Sequence, residues 1–403
     1  LFYSNGMSLI FNPRHKIMCH LDKVEKLLNN ENPSPILIEI DPSNACNHSC
    51  PFCISGHLHL NKYKGTELFN RTMLKKDVFK DLLDDLISLK IDAINWTGGG
   101  EPTMNPALGE MIKYINKNSD IKMGMFSNGT MFKRFDLFET IVNSCSWVRV
   151  SIDAGREDTY DNLRITNNKT NFKTVIENII TLIETKKRLK SDITIGVGFV
   201  VTKDNYNEIL DFSTLFKDID VDYCQFKPEI IQVERDQTLN KSKEQISSDF
   251  WLKDILVLLE GAKKILGDKY ECNTYKIDDL IVDVKNYGRN YKQCLGSQLQ
   301  PCVGADGNVY VCTNHRGHKK YSYGSLYEKS FKEIWSDIKT KSNIMNKIEN
   351  EEKFINCTHL CKPHESNKLL YQIKKNTKNP SYLKNLKEKT KDIAKTVKHV
   401  SFI

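Results

Sequence analysis

The sequence predicts an α/β fold: a parallel sheet covered by helices, followed by a smaller cysteine-bearing module. Three observations predict it. Short apolar β-like runs alternate with longer helical periods from Ile36 to about Ile231. The strand candidates read as apolar runs, as strands of a parallel sheet covered on both faces do. From Tyr291 the composition changes to Cys, Gly and short β-like pieces that continue to about Ser366.

Strands are expected at Ile36–Ile40, Ala93–Thr97, Ile121–Ser127, Trp147–Asp153, Ile193–Thr202 and Tyr223–Lys227. Helices are expected between them, at Leu74–Leu89, Pro106–Asn116, Phe132–Asn143, Asn171–Leu189 and Asn205–Lys217. Six strands alternating with helices argue for one parallel sheet. Parallel β/α barrels place their chemistry at the C-terminal strand ends. Around this unit, residues 36–232, lie an N-terminal extension (1–35) and a charged helical connector (233–290). The cysteine module (291–366) and a basic helical tail (367–403) follow.

Composition limits the function classes. Hydrophobic residues at 39% and charged residues at 27% describe a globular chain with a sizeable core. No stretch approaches the roughly 20 apolar residues of a membrane span, and the N-terminus lacks the features of a signal peptide. Twelve Cys without export signals point to reduced thiols serving metal or catalysis, and to the cytoplasm. The net charge is +8, but Glu365 to Ile403 carries ten Lys against three acidic residues, +7 of that total. The remainder lacks the basic face of a nucleic-acid binder. The tail itself reads as a solvated amphipathic helix, with contact to an anionic surface as the second reading.

Chemistry is concentrated in Cys46-Asn-His-Ser-Cys50-Pro-Phe-Cys53, directly after the first apolar run. Three thiolates this close can share one iron–sulfur cluster and leave its fourth iron open to a small molecule. A structural zinc site is the alternative. The C-x3-C-x2-C spacing with Phe52 before the last Cys resembles the radical S-adenosylmethionine (SAM) superfamily. The resemblance implies a partial (β/α)6 barrel and a [4Fe–4S] cluster on Cys46, Cys50 and Cys53. It also implies SAM chelated to the open iron, with Phe52 on its adenine side. Trp96-Thr-Gly98-Gly99-Gly100-Glu101-Pro102, after the second strand, resembles the GGEP element that holds the SAM amino group in this superfamily. Ser127-Asn128 and Ser151-Ile-Asp153 close the third and fourth strands, where relatives address the ribose and carboxylate. The competing reading of Ser127, Asn128, Ser151 and Asp153 is local turn capping. Gly196 and Gly198 are weaker candidates for close backbone approach to the adenine.

The C-terminal module holds Cys294, Gly307 and Cys312 in a C-x12-G-x4-C pattern, then Cys357 and Cys361. Four soft thiolates suit an iron–sulfur cluster or zinc. The pattern resembles the SPASM/Twitch extensions of radical SAM enzymes. With too few Cys for a full SPASM set, it implies a Twitch-like module with one auxiliary [4Fe–4S] cluster on these four Cys. Cys302 falls outside the pattern, as a buried thiol, alternative ligand or redox thiol. His315, His359 and His364 are expected to be surface or loop residues. Cys224, on the sixth strand, would donate a hydrogen atom only if it pointed into the barrel. Cys19, Cys145 and Cys272 look isolated.

The resemblance implies an oxidoreductase that reductively cleaves SAM and abstracts a hydrogen, supplied with electrons by a reductant such as flavodoxin or ferredoxin. A single fully ligated auxiliary cluster points to a small-molecule substrate, a polyol, sugar or aminocyclitol, whose electron that cluster accepts. The alternative is a peptide-modifying enzyme, an epimerase or thioether former, with a separate leader-binding partner. The 45 residues before Cys46 are expected to be too few for a fused leader-binding domain. No catalytic base can be named from the sequence.

Overall fold

The computed structural model describes residues 13–59, 72–166, 171–229, 249–272, 289–354, 357, 361–377, 380–391 and 397–403. Within them one sheet of ten strands runs in the order β10-β9-β8-β1-β2-β3-β4-β5-β6-β7. Strands β1 (Leu37–Ile40), β2 (Ala93–Trp96), β3 (Lys122–Ser127), β4 (Trp147–Ser151), β5 (Thr194–Val201) and β6 (Tyr223–Pro228) are the six expected from the sequence. They pair in parallel in sequence order. The intervening helices are also present: Lys76–Ser88, Leu108–Asn118, Phe138–Ser144, Asn171–Leu189 and Ile209–Ile219. The third is shorter than its apolar pattern, because residues 130–136 form turns, not helix.

The two faces of the strands have different tasks. Ile38, Ile40, Ile94, Trp96, Met123, Met125, Val148, Val150, Ile195, Val197 and Phe199 join the helices in one large apolar core. With a period of two, the alternate positions Glu39, Asn95, Phe126, Arg149, Gly198 and Gln225 share the opposite face, the lumen of the curved sheet. Cys224 and Phe226 belong to the helix-side core. The conditional reading of Cys224 as a hydrogen donor is therefore overturned by register, since its thiol lies on the wrong face.

The connector differs from expectation. Its helix Asp249–Leu266 is present, but Tyr270–Cys272 is a strand, β7, added in parallel to β6. Three residues are too short a run to announce a strand against a helical, charged background. At the other edge, β8 (Cys302–Val303) pairs in parallel with β1, and β9 (Asn308–Tyr310) and β10 (Ser322–Ser325) extend it antiparallel. The cysteine module thus continues the barrel sheet directly.

The tail is not a freely solvated helix. Phe402, Ile403 and Leu386 pack with Ile17, Val24, Leu37, Ala93 and Trp147 in a second apolar cluster at the N-terminal ends of the strands. Phe402 meets Trp147 edge-on at 5.4 Å, and His399 bonds Thr194 at 2.9 Å. Lys387 pairs with Asp22 and Glu25 across the same face. These apolar residues close the bottom of the barrel, so the lumen is accessible from the opposite end. Among the described residues no helix is long and apolar enough to cross a membrane.

Candidate functional site

The three loop cysteines leave β1 at its C-terminal end, as the spacing demands. Gly100 N–H donates to Ser43 O at 3.0 Å and Glu101 N–H to Ala45 O at 2.9 Å, pinning the glycine turn after β2 to this loop. A Cβ on Gly100 would collide with the Ala45 carbonyl oxygen and one on Gly99 with Asn44 Oδ1, so only glycine fits. Ser55 Oγ donates to Gly98 O at 3.4 Å. The turn expected to face SAM thus also shapes the cysteine loop.

Glu101 is the hub. Its buried carboxylate accepts from Thr103 N–H and Oγ1–H at 3.1 and 2.6 Å, from Ser127 Oγ at 2.7 Å and from Asn128 N–H at 2.7 Å. Burial raises its pKa and these donors oppose the rise. Asn128 Nδ2 donates to Asn47 Oδ1 at 2.8 Å, inside the cysteine loop. Ser127 and Asn128 therefore tie the end of β3 to both preceding loops. Pro102 opens the short turn that Glu101 caps.

Asp153 has a left-handed backbone, φ 63°, and is fully buried. Its carboxylate accepts from Val200 N–H at 2.7 Å and from the Arg164 guanidinium. These bonds make Asp153 the anchor for Arg164. Ser151, by contrast, keeps some accessible surface at the rim. Phe52 lies with its ring centroid 5.8 Å from the Arg164 guanidinium. Of the weaker candidates, Gly196 gives its space to the Tyr223 ring, which an added Cβ would strike. Gly198 faces Arg149.

The donor set fits an iron–sulfur cluster. The thiols of Cys46, Cys50 and Cys53 lie close enough to perturb one another's ionisation. Burial pushes Cys50 up to about 12 and Cys46 higher still, so iron must displace protons to bind. Among the described residues neither ring nitrogen of buried His48 has a partner, nor has the Tyr160 hydroxyl or Arg164 Nε. Buried polar atoms are seldom left so, and these surround the loop. His48 meets Tyr160 edge-on at 6.2 Å, and Arg164 acts electrostatically on His48, Tyr160 and Cys50. Burial holds His48 well below its usual range, at about 3. Among the described residues no three His, Cys, Asp or Glu side chains converge as ligands of a single ion. A cubane instead spreads its thiolates over separate irons.

The second cysteine set also assembles. Cys294 and Cys361 lie close enough to both Cys312 and Cys357 to act on their ionisation, and burial pushes Cys312 up to about 12. Asn367 Nδ2 donates to Cys294 Sγ at 3.2 Å, and His315 Nε2 lies 3.5 Å from Cys357 Sγ. His315 is therefore buried against the cysteines, not a surface loop residue. His364 is buried too, bonded to the Tyr291 hydroxyl at 2.9 Å. His359 lies outside the described residues. Cys302 is fully buried on β8, in register with Glu39 and near the Asp41–Arg316 pair, and burial pushes its thiol well up. Cys312 is close enough to add to that rise.

The two sets are held together. His57, just after Cys53, lies 3.1 Å from Arg316 O and stacks on His318 at 5.4 Å. Arg316 grips Asp41 with two 2.7 Å bonds, linking the module to the residue that follows β1. Arg164, Asn47, Asp41, Arg316 and Asn367 are not legible as site residues in the sequence. None lies in a local pattern, since each matters through a partner distant in the chain.

Comparison with known proteins agrees with this arrangement. Residues 40–213 match the model of the radical SAM superfamily and residues 294–362 that of an iron–sulfur cluster-binding domain, SPASM. A cysteine-type anaerobic sulfatase-maturating enzyme of Clostridium novyi is 25% identical over 334 residues, 78% of this chain and 83% of that enzyme. A protein of Brachyspira hyodysenteriae named GTPase Obg is 24% identical over 256 residues, 60% of this chain but only 35% of that protein. This chain thus spans about a third of that relative's length. Among solved structures, SuiB of Streptococcus suis bound to the precursor peptide SuiA is similar over 86% of this chain and 74% of its own, with a TM-score of 0.56 and 16% identity.

Proposed function

The chain belongs to the radical SAM superfamily and carries a SPASM-type iron–sulfur domain, and from that premise we propose that it modifies a peptide or protein substrate. It is an enzyme whose radical SAM domain binds a 4Fe–4S cluster and SAM, and whose C-terminal domain binds auxiliary iron–sulfur chemistry. The observation that carries the peptide reading is the alignment with the sulfatase-maturating enzyme. It extends over 78% of this chain, too long a span to lie within either cysteine-bearing domain alone. The precursor peptide in the similar SuiB structure supports it. The polyol or aminocyclitol reading rests chiefly on the count of auxiliary cysteines, and the comparisons lean away from it.

In this reading Cys46, Cys50 and Cys53 hold the first cluster, and Cys294, Cys312, Cys357 and Cys361 hold one auxiliary cluster. When bound, the cluster–SAM pair supplies reductive cleavage of SAM and abstraction of a substrate hydrogen atom. The protein's own contribution is position. Glu101, through Ser127 and Asn128, fixes the loop that presents the three thiols. Asp153 holds Arg164 beside Cys50 and Phe52. Gly98 to Pro102 and Ser151 border the space for SAM, while the Trp147, Tyr223 and Phe402 side chains exclude water from below. The working units are 36–232 for the barrel and 291–366 for the module, with 233–290 as connector. A reducing compartment such as the cytoplasm is the setting, and flavodoxin or ferredoxin the class of electron donor.

The test works without an identified substrate. Reconstituted protein is given SAM, dithionite and either a perdeuterated peptide pool or a perdeuterated pool of sugars and polyols. Deuterium entering 5′-deoxyadenosine from the peptide pool is the expected result. Transfer from the sugar and polyol pool alone would return the substrate to the small-molecule class.

A further inference from the structure

Three of the buried carboxylates around the lumen pair with cations of the chain, whereas Glu101 is held by neutral donors and buried Glu271 lies in register with Gln225. Asp41 takes Arg316. Glu39 takes Lys362 and accepts from Asn95 and Gln300 at 2.9 and 3.3 Å. Asp153 takes Arg164. Arg149, at the middle of β4, has no carboxylate partner among the described residues. Its Nη1 donates to the neutral amide of Gln225, its guanidinium lies 4.3 Å from the Phe126 ring centroid, and its Nε has no acceptor.

The position makes that exception informative. Below Arg149 the barrel is closed by buried Trp147 and Tyr223. Arg149 nevertheless retains accessible surface, as do Phe126, Ser151 and Lys227. The accessible side is therefore the open end, beneath the rim where the cysteine loop lies. Burial disfavours the charged guanidinium here, and the carboxylates of Asp153 and Glu39 act on it only while bound to other cations. A desolvated cation without a counter-ion is costly, and a bidentate carboxylate is the partner that suits a guanidinium.

We propose that Arg149 is a specificity-determining residue that receives a carboxylate of the substrate at the floor of the lumen. Resting on the peptide reading above, that carboxylate belongs to an Asp or Glu side chain or to a peptide C-terminus. Phe126 holds the guanidinium plane from one side, Gln225 orients its Nη1 and Nε is buried against Gly198, which leaves Nη2 for the ligand.

Cluster-loaded, SAM-saturated protein is titrated calorimetrically with three blocked or part-blocked tripeptides. One is Ac-Gly-Glu-Gly-amide, one its Gln counterpart, and one the Gln peptide with a free C-terminus. The wild type should prefer an acidic probe over the neutral one by about 10- to 100-fold, the worth of one charge-assisted pair. Whichever acidic probe is preferred identifies the source of the carboxylate. Arg149→Gln should abolish the preference, and Arg149→Lys should keep part of it, with SAM affinity unchanged in both. Equal binding of acidic and neutral probes by the wild type overturns the proposal, as does a preference that survives in Arg149→Gln. A parallel loss of SAM affinity would assign Arg149 to SAM's own carboxylate and also overturn it. Where no tripeptide binds, glutarate and glutaramate are the probes. An Arg149-dependent preference for glutarate would then support the anion site while sinking the peptide reading, and its absence would overturn the proposal.

Discussion

Replacing Asn367 offers the most direct view of how this chain tunes its second cysteine set. Asn367 is buried at the start of the helix His364–Asn376, with its side chain between two groups. Gly296 N–H donates to Oδ1 at 2.7 Å, which fixes the amide orientation and leaves Nδ2 to donate to Cys294 Sγ at 3.2 Å. A hydrogen bond to a cluster sulfur stabilises the more negative, reduced state and raises the potential. If about 1 kcal/mol of that bond distinguishes the two oxidation states, its loss lowers a one-electron potential by about 40 mV.

Asn367→Leu should show that fall together with lower stability, by about 1–3 kcal/mol for the stranded Gly296 N–H. Asn367→Asp separates the two effects. It keeps an acceptor for Gly296 but places a carboxylate oxygen beside the sulfur, so its potential should fall further while its melting temperature falls less. The assay is a potentiometric titration followed by electron paramagnetic resonance. It is performed with Cys46, Cys50 and Cys53 all changed to Ala, so that the signal belongs to the second site. A potential that stays constant or rises in both variants would refute the reasoning.

Wild-type protein reconstituted without oxygen should bind about eight irons, two cubanes, whereas about four irons with zinc beside them would reject the auxiliary cluster. Changing Cys46, Cys50 or Cys53 to Ala should abolish SAM cleavage; a soluble Cys357→Ala/Cys361→Ala protein should still cleave SAM but form no product. Gly100→Ala drives a Cβ into the Ala45 carbonyl oxygen, so iron uptake at the first site should drop severely while the circular dichroism of the fold persists. Uptake at the wild-type level would show that the loop can shift. Lys16, buried with its ammonium on Phe402 O, is held down to about 7 from 10.5 by that burial. The unfolded chain thus binds the extra proton between those values, and stability should rise with pH there by up to about 1.4 kcal/mol per unit. Lys16→Met should flatten that rise, and an unchanged slope in urea titrations would exclude Lys16 as its source.

The sequence by itself determined the elements and the cysteine chemistry. Apolar runs marked all six barrel strands to within two residues of their ends, because burial on both faces leaves a local, unmistakable signature. The spacing of Cys46, Cys50 and Cys53 is covalent, so no packing is needed to bring the three thiols close. The same holds for the glycines whose missing Cβ atoms admit the neighbouring loop.

Tertiary structure decided everything that depends on register and on distant partners. Shifting a strand by one residue exchanges its faces. Register alone therefore puts Cys224 of β6 in the apolar core and turns Arg149 of β4 toward the lumen. Asp153 and Glu101 are acids whose partners within the protein the local sequence does not show. Arg164, Val200, Ser127 and Asn128 claim them only once the strand ends converge. The Lys-rich tail reads as solvated because its charge dominates any window. Its few apolar residues nevertheless close the barrel, because Trp147, Leu37 and Ala93 leave an apolar surface there to be covered. Strand β7 is three residues long, and the outer edge of β6 supplies the pairing that its own sequence does not announce.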